Sequence, residues 1–435
     1  MKVLFAASPV IGHVNPLLVA ARVLQKAGHE TALYTGTHFR EKIESARVQF
    51  FPLPADVDYD TRKIDAAFPE RKQYSPGPEK LLYDLKRIFV DAMPSQFRGL
   101  QRTLRQFPAD LVVHETAFCG VLPLLLGPRS SRPWSAYLGI STLQLPREDG
   151  LPFGPGLPPA KDAAQREQYR QIARDMAHAV SNPLREHANR ALNGLGVPGL
   201  TAPLLESMAT LADVILQPCV PGFEFPLRKP PLNLHYIGAL LPEGSGDVPP
   251  QLKEAREAGR TVILVSQGTI ANGDLGQLVA PVIQAFGDRN DMLILVTTGG
   301  RPLEAIPCAL PANTVASQYL DFSKVLPYVD LLVTFGGYGT VTQALNFGVP
   351  MVVAGQTEDK PENGARVAWT GSGLYLRTDN PTIHQVRSAV EYILSEPKYR
   401  ACAQKMALEF GTFNAAREIR YLLGTLVAEG QTVPA

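Results

Sequence analysis

Short apolar runs alternate with segments of helix length along this chain, and this alternation restricts the possible folds more than any other feature. In the first half the runs are KVLFAA, ETALYTG, ADLVVHE and WSAYLGIS; in the second half they are TVILVSQG, MLILVTTGG, TVASQYL, DLLVTFGG and PMVVAGQ. Continuous apolar strands separated by helices are typical of parallel sheets that are covered on both faces. Two such sets predict an α/β protein with two doubly wound, Rossmann-like domains.

A break between the two sets is visible in the sequence. The segment LLPEGSGDVPPQL, residues 240–252, is rich in glycine, proline and serine and indicates a linker. It separates a predicted first domain, residues 1–239, from a second that starts at residue 253. Residues 55–100 and 146–162 hold many proline, glycine and aromatic residues and are expected to be irregular. Such loops either form lids and pockets or simply cover the sheet.

Composition excludes several classes of function. The formal net charge is +1 with 19% charged residues, which gives no global electrostatic reason to bind nucleic acid or an acidic membrane. No apolar run approaches the ~20 residues that a transmembrane helix needs, and the apolar start is too short for a signal peptide. The chain has no Asn-x-Ser/Thr sequon, and its scattered cysteines, Cys119, Cys219, Cys308 and Cys402, are expected to be buried free thiols. These features predict a protein of the reducing cytoplasm.

The segment LLVTFGGYGTVTQALNFGVP, residues 331–350, contains a strand, a glycine turn and a helix start within twenty residues. In an open parallel sheet, ligands bind beyond the carboxyl ends of the strands. The Gly336-Gly337 turn lies at such an end, where helix amides and the helix dipole favour an anion and missing side chains let it approach. Thr340 could add a hydroxyl. The turn predicts a phosphate site, although glycine turns before helices are also common without one.

Polar residues follow the next strand. Glu358, Asp359, Lys360 and Glu362 come after PMVVAGQ and would suit the hydroxyl groups of a sugar, although a solvated loop would look similar. At the end of the first strand, His13 is placed to act as a general base. The alternative is a structural histidine at a helix start, and the local sequence alone does not decide between them.

These motifs together resemble those of the family-one glycosyltransferases, the UDP-glycosyltransferase superfamily with the GT-B fold, and the bacterial macrolide-glycosyltransferase-like branch is the most similar. Residues 330–376 look like the donor-binding signature of that family. The segments GHVNP, GISTLQLPREDGLPFGPGL, VILVSQGT and YLDFSKVLPYVDLLVT occur in the corresponding order. The resemblance covers nearly the whole chain. It implies a donor-binding domain at residues 253–411, facing the acceptor-binding first domain across a cleft, and a C-terminal segment, residues 412–435, that crosses back to the first domain.

The resemblance also implies roles for single residues. His13 matches the catalytic histidine, and Glu115 stands where the family usually has the Asp that supports it. The turn at Gly336 would receive the diphosphate of the donor. The remaining implied donor contacts are Gly337, Gly339 and Thr340 to the phosphates, Thr269 in a loop approaching them, Gln343 to the ribose, Tyr319 stacked on the base, and Asp359 with Lys360 at the transferred sugar.

Three positions depart from the family pattern. Phe335 replaces a His, Gln343 replaces a Glu, and Lys360 replaces a Gln. Phe335 removes one phosphate donor and Gln343 loses a charge, but both changes leave phosphate binding possible. Lys360 brings a positive charge to the position where the family has a neutral amide beside the transferred sugar. The resemblance therefore does not identify the sugar.

The sequence therefore predicts an inverting enzyme that needs no metal and no cofactor beyond its co-substrate, a nucleoside diphosphate sugar such as a UDP-sugar. The acceptor is expected to be small and lipophilic, and the protein a monomer or homodimer. Asp56-Val57-Asp58 imitates a metal-binding DxD motif, but so short an acidic motif is frequent by chance. Two alternatives stay open: a nucleotide-sugar epimerase, and a non-catalytic homologue that acts as a binding or activating partner.

Overall fold

The computed structural model describes residues 1–75, 77–242 and 247–432. Within these residues the chain forms two sheets, and all neighbouring strands in both are parallel. The first sheet comprises β1 (Lys2–Ala6), β2 (Glu30–Thr35), β3 (Gln49–Pro52), β4 (Leu111–His114), β5 (Trp134–Leu138), β6 (Val214–Gln217) and β7 (Leu234–Tyr236). The second comprises β8 (Thr261–Ser266), β9 (Met292–Thr297), β10 (Thr314–Ser317), β11 (Leu331–Thr334), β12 (Met351–Val353) and β13 (Gly373–Tyr375).

The strand order in each sheet reverses once. The first sheet has the order β3-β2-β1-β4-β5-β6-β7, and the second has the order β10-β9-β8-β11-β12-β13. The reversals fall between β1 and β4 and between β8 and β11. At such a switch point the loops leave the sheet in opposite directions and open a crevice. The predicted α/β fold with two doubly wound sheets is confirmed.

Helices cover both faces of each sheet. Before residue 240 they are α1 (Ile11–Lys26), α2 (Arg40–Ser45), α3 (Ile64–Ala67), α4 (Pro78–Asp84), α5 (Met93–Gln106), α6 (Leu122–Leu125), α7 (Ala163–Met176), α8 (Asn182–Gly194) and α9 (Leu204–Thr210). After it they are α10 (Pro250–Glu257), α11 (Val279–Phe286), α12 (Phe322–Val325), α13 (Tyr338–Asn346), α14 (Lys360–Trp369), α15 (Ile383–Ser395), α16 (Pro397–Phe410) and α17 (Ala415–Thr432).

The apolar runs of the sequence become buried strands because both sheet faces are covered. In β1, Val3 and Phe5 pack into one core and Leu4 and Ala6 into another, and all four are 0% exposed. Successive side chains of a strand point to opposite faces, so a strand that is buried on both sides must be apolar throughout.

Some local expectations were wrong. Residues 55–100, expected to be irregular, are largely helical. A π-helical segment, Leu85–Val90, continues directly from α4 and ends shortly before α5. The segment predicted as a linker, residues 240–252, includes the first residues of α10, which begins at Pro250, and its role as a linker stays a prediction. Its residues 243–246 lie outside the described part of the chain. Residues 146–162 are irregular, as expected, apart from an isolated antiparallel bridge between Arg147 and Leu227.

The C-terminal helix α17 packs against the half of the chain that contains the first sheet. Its residues Ile419, Leu423 and Val427 are buried in the same core as Leu17 of α1. The domain limits predicted from the sequence stay a prediction.

All four cysteines are free thiols, but only Cys119 and Cys219 are buried, whereas Cys308 and Cys402 are half-buried. Among the described residues, no helix is both long enough and apolar enough to cross a bilayer.

Candidate active site

The predicted site residues follow the strands at the two switch points. His13 lies in the first turn of α1, after β1, and Glu115 directly follows β4. These strands are neighbours, with Ala6 opposite His114, so the residues after them meet at one edge of the sheet. In the second sheet Thr269 follows β8 and the glycine turn follows β11, with Ser266 opposite Thr334. Both halves thus present their polar motifs where a crevice is expected.

His13 and Glu115 form a pair at the end of the first sheet. The distance between His13 Nδ1 and Glu115 Oε2 is 2.9 Å, and their side chains are 17% and 0% exposed. The Glu115 carboxylate also accepts hydrogen bonds from the backbone N–H groups of Ser8, at 3.0 Å, and Ala117, at 2.6 Å. Two backbone amides therefore hold one buried carboxylate against one imidazole. This arrangement leaves Nε2 of His13 as the ring nitrogen that can meet a substrate.

Charge governs the protonation of this pair. Burial by itself favours neutral His13, but the neighbouring Glu115 carboxylate outweighs it and raises the pKa of the imidazole above 6.5. Burial likewise opposes ionised Glu115, yet the His13 charge and the two amides hold the pKa of this carboxyl below its usual value. Glu358 and Asp359 raise the pKa of His13 further. The acids after β12 are therefore close enough to the imidazole to act on it.

An aromatic ring that sequence reasoning missed lies parallel to the imidazole. Phe89, in the π-helical segment, has its ring centroid 6.1 Å from that of His13, with 3° between the planes. It is half-buried and so presents apolar surface beside the candidate base. No local signal could have identified it, because the contact joins residues 76 positions apart through the tertiary fold.

The three glycines of the turn differ in what a side chain at each position would meet. Gly336 has φ +90°, and a Cβ there would lie 2.5 Å from Val353 Cγ1, so only glycine fits the turn. Gly337 caps α13, and a Cβ on it would meet nothing within 4 Å. At Gly339 the nearest atom to an added Cβ is Gln343 Nε2, at 3.9 Å. The space above the first turn of α13 is therefore open to a ligand.

That open space faces unbonded amides. The first N–H groups of a helix have no partner within the helix, and with the helix dipole they favour an anion. Thr340 and Gln343 are half-buried on this helix, one in its first turn and one a turn further on. Phe335 is 2% exposed and belongs to the apolar core, so its side chain cannot replace the missing phosphate donor.

Asp359 and Lys360 begin α14, after β12. Burial raises the pKa of Asp359 to about 6, against the opposing charge of Lys360. The Lys360 side chain is 5% exposed, and its ammonium donates to Glu358 Oε2 and, at 3.3 Å, to Thr357 Oγ1. Lys360 is thus held within its own loop.

A second missed residue joins the two donor motifs. Asn363 Nδ2 donates to the carbonyl of Gly336, at 2.8 Å, and to Asp359 Oδ2, at 3.1 Å. It is 0% exposed. Its spacing of four residues from Asp359 was a usable signal, because such pairs face each other on a helix.

The remaining predicted contacts are less closely grouped. Thr269 is exposed, and its neighbour Ile270 would lie 3.5 Å from a Cβ on Gly12, so this loop of the second half meets the helix that carries His13. Tyr319 is 62% exposed and packs its ring over Gly300, next to β9. It follows β10, which β9 and β8 separate from β11 and the glycine turn.

The two acids of the DxD-like motif, Asp56 and Asp58, are both hydrogen-bonded within the first half. Asp58 accepts from the backbone N–H of Thr37, at 3.0 Å, and Asp56 accepts from the hydroxyl of Ser95. Across the described ranges, no cluster of three or more His, Cys, Asp or Glu residues is arranged to hold a metal ion. Metal independence itself stays a prediction.

Comparisons with known proteins define the class. Residues 283–422 match the family described as Erythromycin biosynthesis protein CIII-like, C-terminal domain. UDP-glycosyltransferase 2 of Phaeomoniella chlamydospora is 35% identical, over 98% of this chain and 96% of that protein. The 4'-demethylrebeccamycin synthase of Lentzea aerocolonigenes is 32% identical, over 98% of this chain and 99% of that protein.

Solved structures agree on the fold. CalG4, a calicheamicin glycosyltransferase, superposes with a TM-score of 0.70 at 22% identity, covering 100% of this chain and 99% of that one. The spinosyn rhamnosyltransferase SpnG, complexed with thymidine diphosphate, has a TM-score of 0.68 at 17% identity, covering 97% and 100%. The molecule is a glycosyltransferase of the GT-B fold. The chain belongs to the family-one glycosyltransferases, the UDP-glycosyltransferase superfamily, and its reaction is glycosyl transfer from a nucleotide sugar.

Proposed function

We propose that the protein is an inverting, metal-independent glycosyltransferase that moves a sugar from a UDP-glucose-like donor to a hydroxyl of a small lipophilic acceptor. The observation that carries this proposal is the buried His13–Glu115 pair, at 2.9 Å, beside Phe89 and within electrostatic reach of Asp359. A base, an apolar surface for an acceptor and a candidate sugar-binding acid are thereby combined at one place. The relatives named for natural products support an acceptor of that class.

The proposed step is a single displacement. Nε2 of His13 takes the proton of the acceptor hydroxyl as its oxygen attacks the anomeric carbon, opposite the leaving group. The bond from that carbon to the diphosphate oxygen breaks, and its electron pair stays on the diphosphate, which the amides of α13 stabilise. One attack from the opposite face inverts the anomeric centre. Glu115 stabilises the imidazolium that forms.

The direct test combines binding and turnover. The purified protein is mixed with UDP- and dTDP-sugars, because relatives are named for UDP and the SpnG structure holds thymidine diphosphate. A bound donor raises the melting temperature. Weakly acidic hydroxylated aromatic compounds then serve as acceptors, with and without EDTA, and NMR of the product gives the anomeric configuration. Retention of configuration, or loss of transfer with EDTA, would contradict the proposal. If the protein shows neither transfer nor donor hydrolysis, that result would favour a non-catalytic homologue.

Glu115→Gln should move the acidic limb of the pH profile of kcat/KM to lower pH. The carboxylate raises the pKa of His13, so without its charge burial dominates and the imidazole loses its proton at lower pH. His13 acts as base only when neutral, and activity therefore falls as pH drops through this pKa. We also expect turnover to fall by about tenfold, less than the loss of the base itself.

Glu115→Asp is the matched control, because it keeps the charge and shortens the side chain. Its acidic limb should stay nearer to that of the wild type. An unchanged limb in Glu115→Gln would show that the ionisation seen in the profile is not that of His13.

Lys360→Gln should change the preference among donor sugars but not the affinity for UDP. Asp359 is proposed to accept hydrogen bonds from sugar hydroxyls, and Lys360 sets the charge beside it. Losing one polar contact at a sugar costs on the order of 1–3 kcal/mol. The measurement is kcat/KM for UDP-glucose, UDP-galactose, UDP-N-acetylglucosamine and UDP-glucuronate. Lys405→Gln, at an exposed position of α16, is the control. If the ratios of kcat/KM among the four sugars do not change, Lys360 does not select the sugar and only contacts Thr357 and Glu358 in its own loop.

A further inference from the structure

A buried polar network joins the half of the chain with the first sheet to the half with the second. Its side chains are between 0% and 5% exposed: Gln217, Glu224, Tyr338, Glu362 and Arg366. Gln217 and Glu224 belong to the first half, and the other three lie on α13 and α14. Buried charges and amides are costly unless paired, so a network of this kind holds its members in one arrangement.

Two links of the network cross between the halves. Gln217 Nε2 donates to the hydroxyl of Tyr338, at 2.6 Å, directly after the glycine turn. Arg366 donates to Glu224 Oε2 through Nε, at 3.0 Å. Within the first half, Gln217 Nε2 also lies 3.2 Å from Glu224 Oε1 and 2.8 Å from the carbonyl oxygen of Ser141, so its two N–H groups are shared among three acceptors. Both donor-side helices are therefore connected to the same pair of first-half residues.

A third link fastens an irregular loop. Glu362 Oε1 accepts the backbone N–H groups of Gly154, at 2.8 Å, and Gly156, at 2.9 Å, while Glu362 Oε2 accepts from Arg366, at 2.8 Å. Gly156 has φ +59°, and a Cβ there would lie 2.4 Å from the carbonyl oxygen of Pro361. The loop that the sequence marks with PFGPGL is thus in backbone contact with α14, beside Asp359.

We propose that these five side chains are positioning residues, which hold the first-half segments 141–143 and 154–156 in register with the donor turn and the donor helix. This inference rests on the proposed function, since it assigns the network to aligning acceptor and donor. Leu143 takes part because its backbone N–H donates to Glu224 Oε1, at 3.1 Å. Misplacing reacting groups by about 1 Å can cost 10²-fold in rate, so such alignment is felt in kcat.

Glu362→Gln is the sharpest variant. A carboxamide has one oxygen and one NH₂, so it can accept from the glycines only by turning its NH₂ towards the Arg366 guanidinium, or the reverse. One of the two links must break. We expect amide exchange in peptides covering residues 150–158 to become about tenfold faster, as for loss of a hydrogen bond to a charged group. Transfer should fall in kcat by about tenfold or more, with UDP affinity changed by less than about threefold.

Glu409→Gln is the matched control. Glu409 Oε1 also accepts a glycine amide from the first half, that of Gly222 at 2.8 Å, but it lies on α16 and outside the network. It should leave kcat and exchange at 150–158 as in the wild type. Equal losses in both variants would show that any loosened contact between the halves suffices, and would overturn the assignment.

Tyr338→Phe provides a milder second variant if Glu362→Gln does not fold. It removes the hydrogen bond from Gln217 and keeps the ring, and it should lower kcat without changing the melting temperature by more than a few degrees. Unchanged exchange at 150–158 in Glu362→Gln, or unchanged kcat in Tyr338→Phe, would overturn the proposal. If Glu362→Gln shows faster exchange at residues 150–158 but the wild-type protein transfers no sugar, the hydrogen bonds between the halves are established. The result that is contradicted is then the proposed function.

Discussion

Replacing His13 with alanine should lower kcat by about 10²–10⁴-fold, the usual range for losing a general base. The imidazole is held at 2.9 Å from Glu115 and is the group placed to take the acceptor's proton. The donor is proposed to bind through the glycine turn and α13 instead, so UDP binding should change little. The measurement is kcat with an aliphatic hydroxyl acceptor, together with the Kd of UDP by calorimetry.

Two controls make this result specific. His384→Ala, at an exposed position of α15, should keep full activity. A strongly acidic phenol should recover much of the rate of His13→Ala, because it ionises without a base. Full activity of His13→Ala with the aliphatic acceptor would exclude the base role.

Gly339→Ala should weaken UDP binding by about 10²-fold, because the new methyl group fills space that the diphosphate is proposed to use. The same change should leave the fold intact. Gly339 lies in the first turn of α13, has no atom within 3.9 Å of an added Cβ, and alanine is the better helix former by about 1 kcal/mol. The expected result is weaker UDP binding together with an equal or higher melting temperature.

Two other glycines separate these effects. A Cβ on Gly424, in α17, would meet nothing within 4 Å, so Gly424→Ala should raise stability without changing UDP affinity. Gly336→Ala should destabilise the fold, because it combines φ +90° with a 2.5 Å contact to Val353. Wild-type UDP affinity in Gly339→Ala would place the diphosphate away from this turn.

The strands that could be predicted were those with long apolar runs, such as β1, β8 and β9. Four strands, β3, β6, β7 and β13, were missed. Each has only three or four residues, which carry too little periodicity to identify a strand. Residues 55–100 were misjudged for a physical reason. Their prolines suggested breaks, yet Pro78 and Pro94 lie in the first turns of α4 and α5, where proline is favoured.

For the site, local motifs were sufficient to select candidates and insufficient to show their partners. His13 and the glycine turn are recognisable because their chemistry follows from a few adjacent residues. Phe89 could not be found, because its contact with His13 exists only after distant elements pack. The pairing of Lys360 with Glu358 was one of several arrangements compatible with the sequence, and only the folded loop selects it.

The return of α17 to the first half has a consequence for building hybrid enzymes. Ile419, Leu423 and Val427 each bury an apolar side chain beside α1, worth up to about 1.5–3 kcal/mol apiece, which is a large part of the stability of an ordinary domain. A donor half transplanted from another enzyme after residue 252 would bring a foreign C-terminal helix onto the surface of α1. A hybrid therefore needs two junctions, one before β8 and one before α17, so that the acceptor half keeps its own last helix.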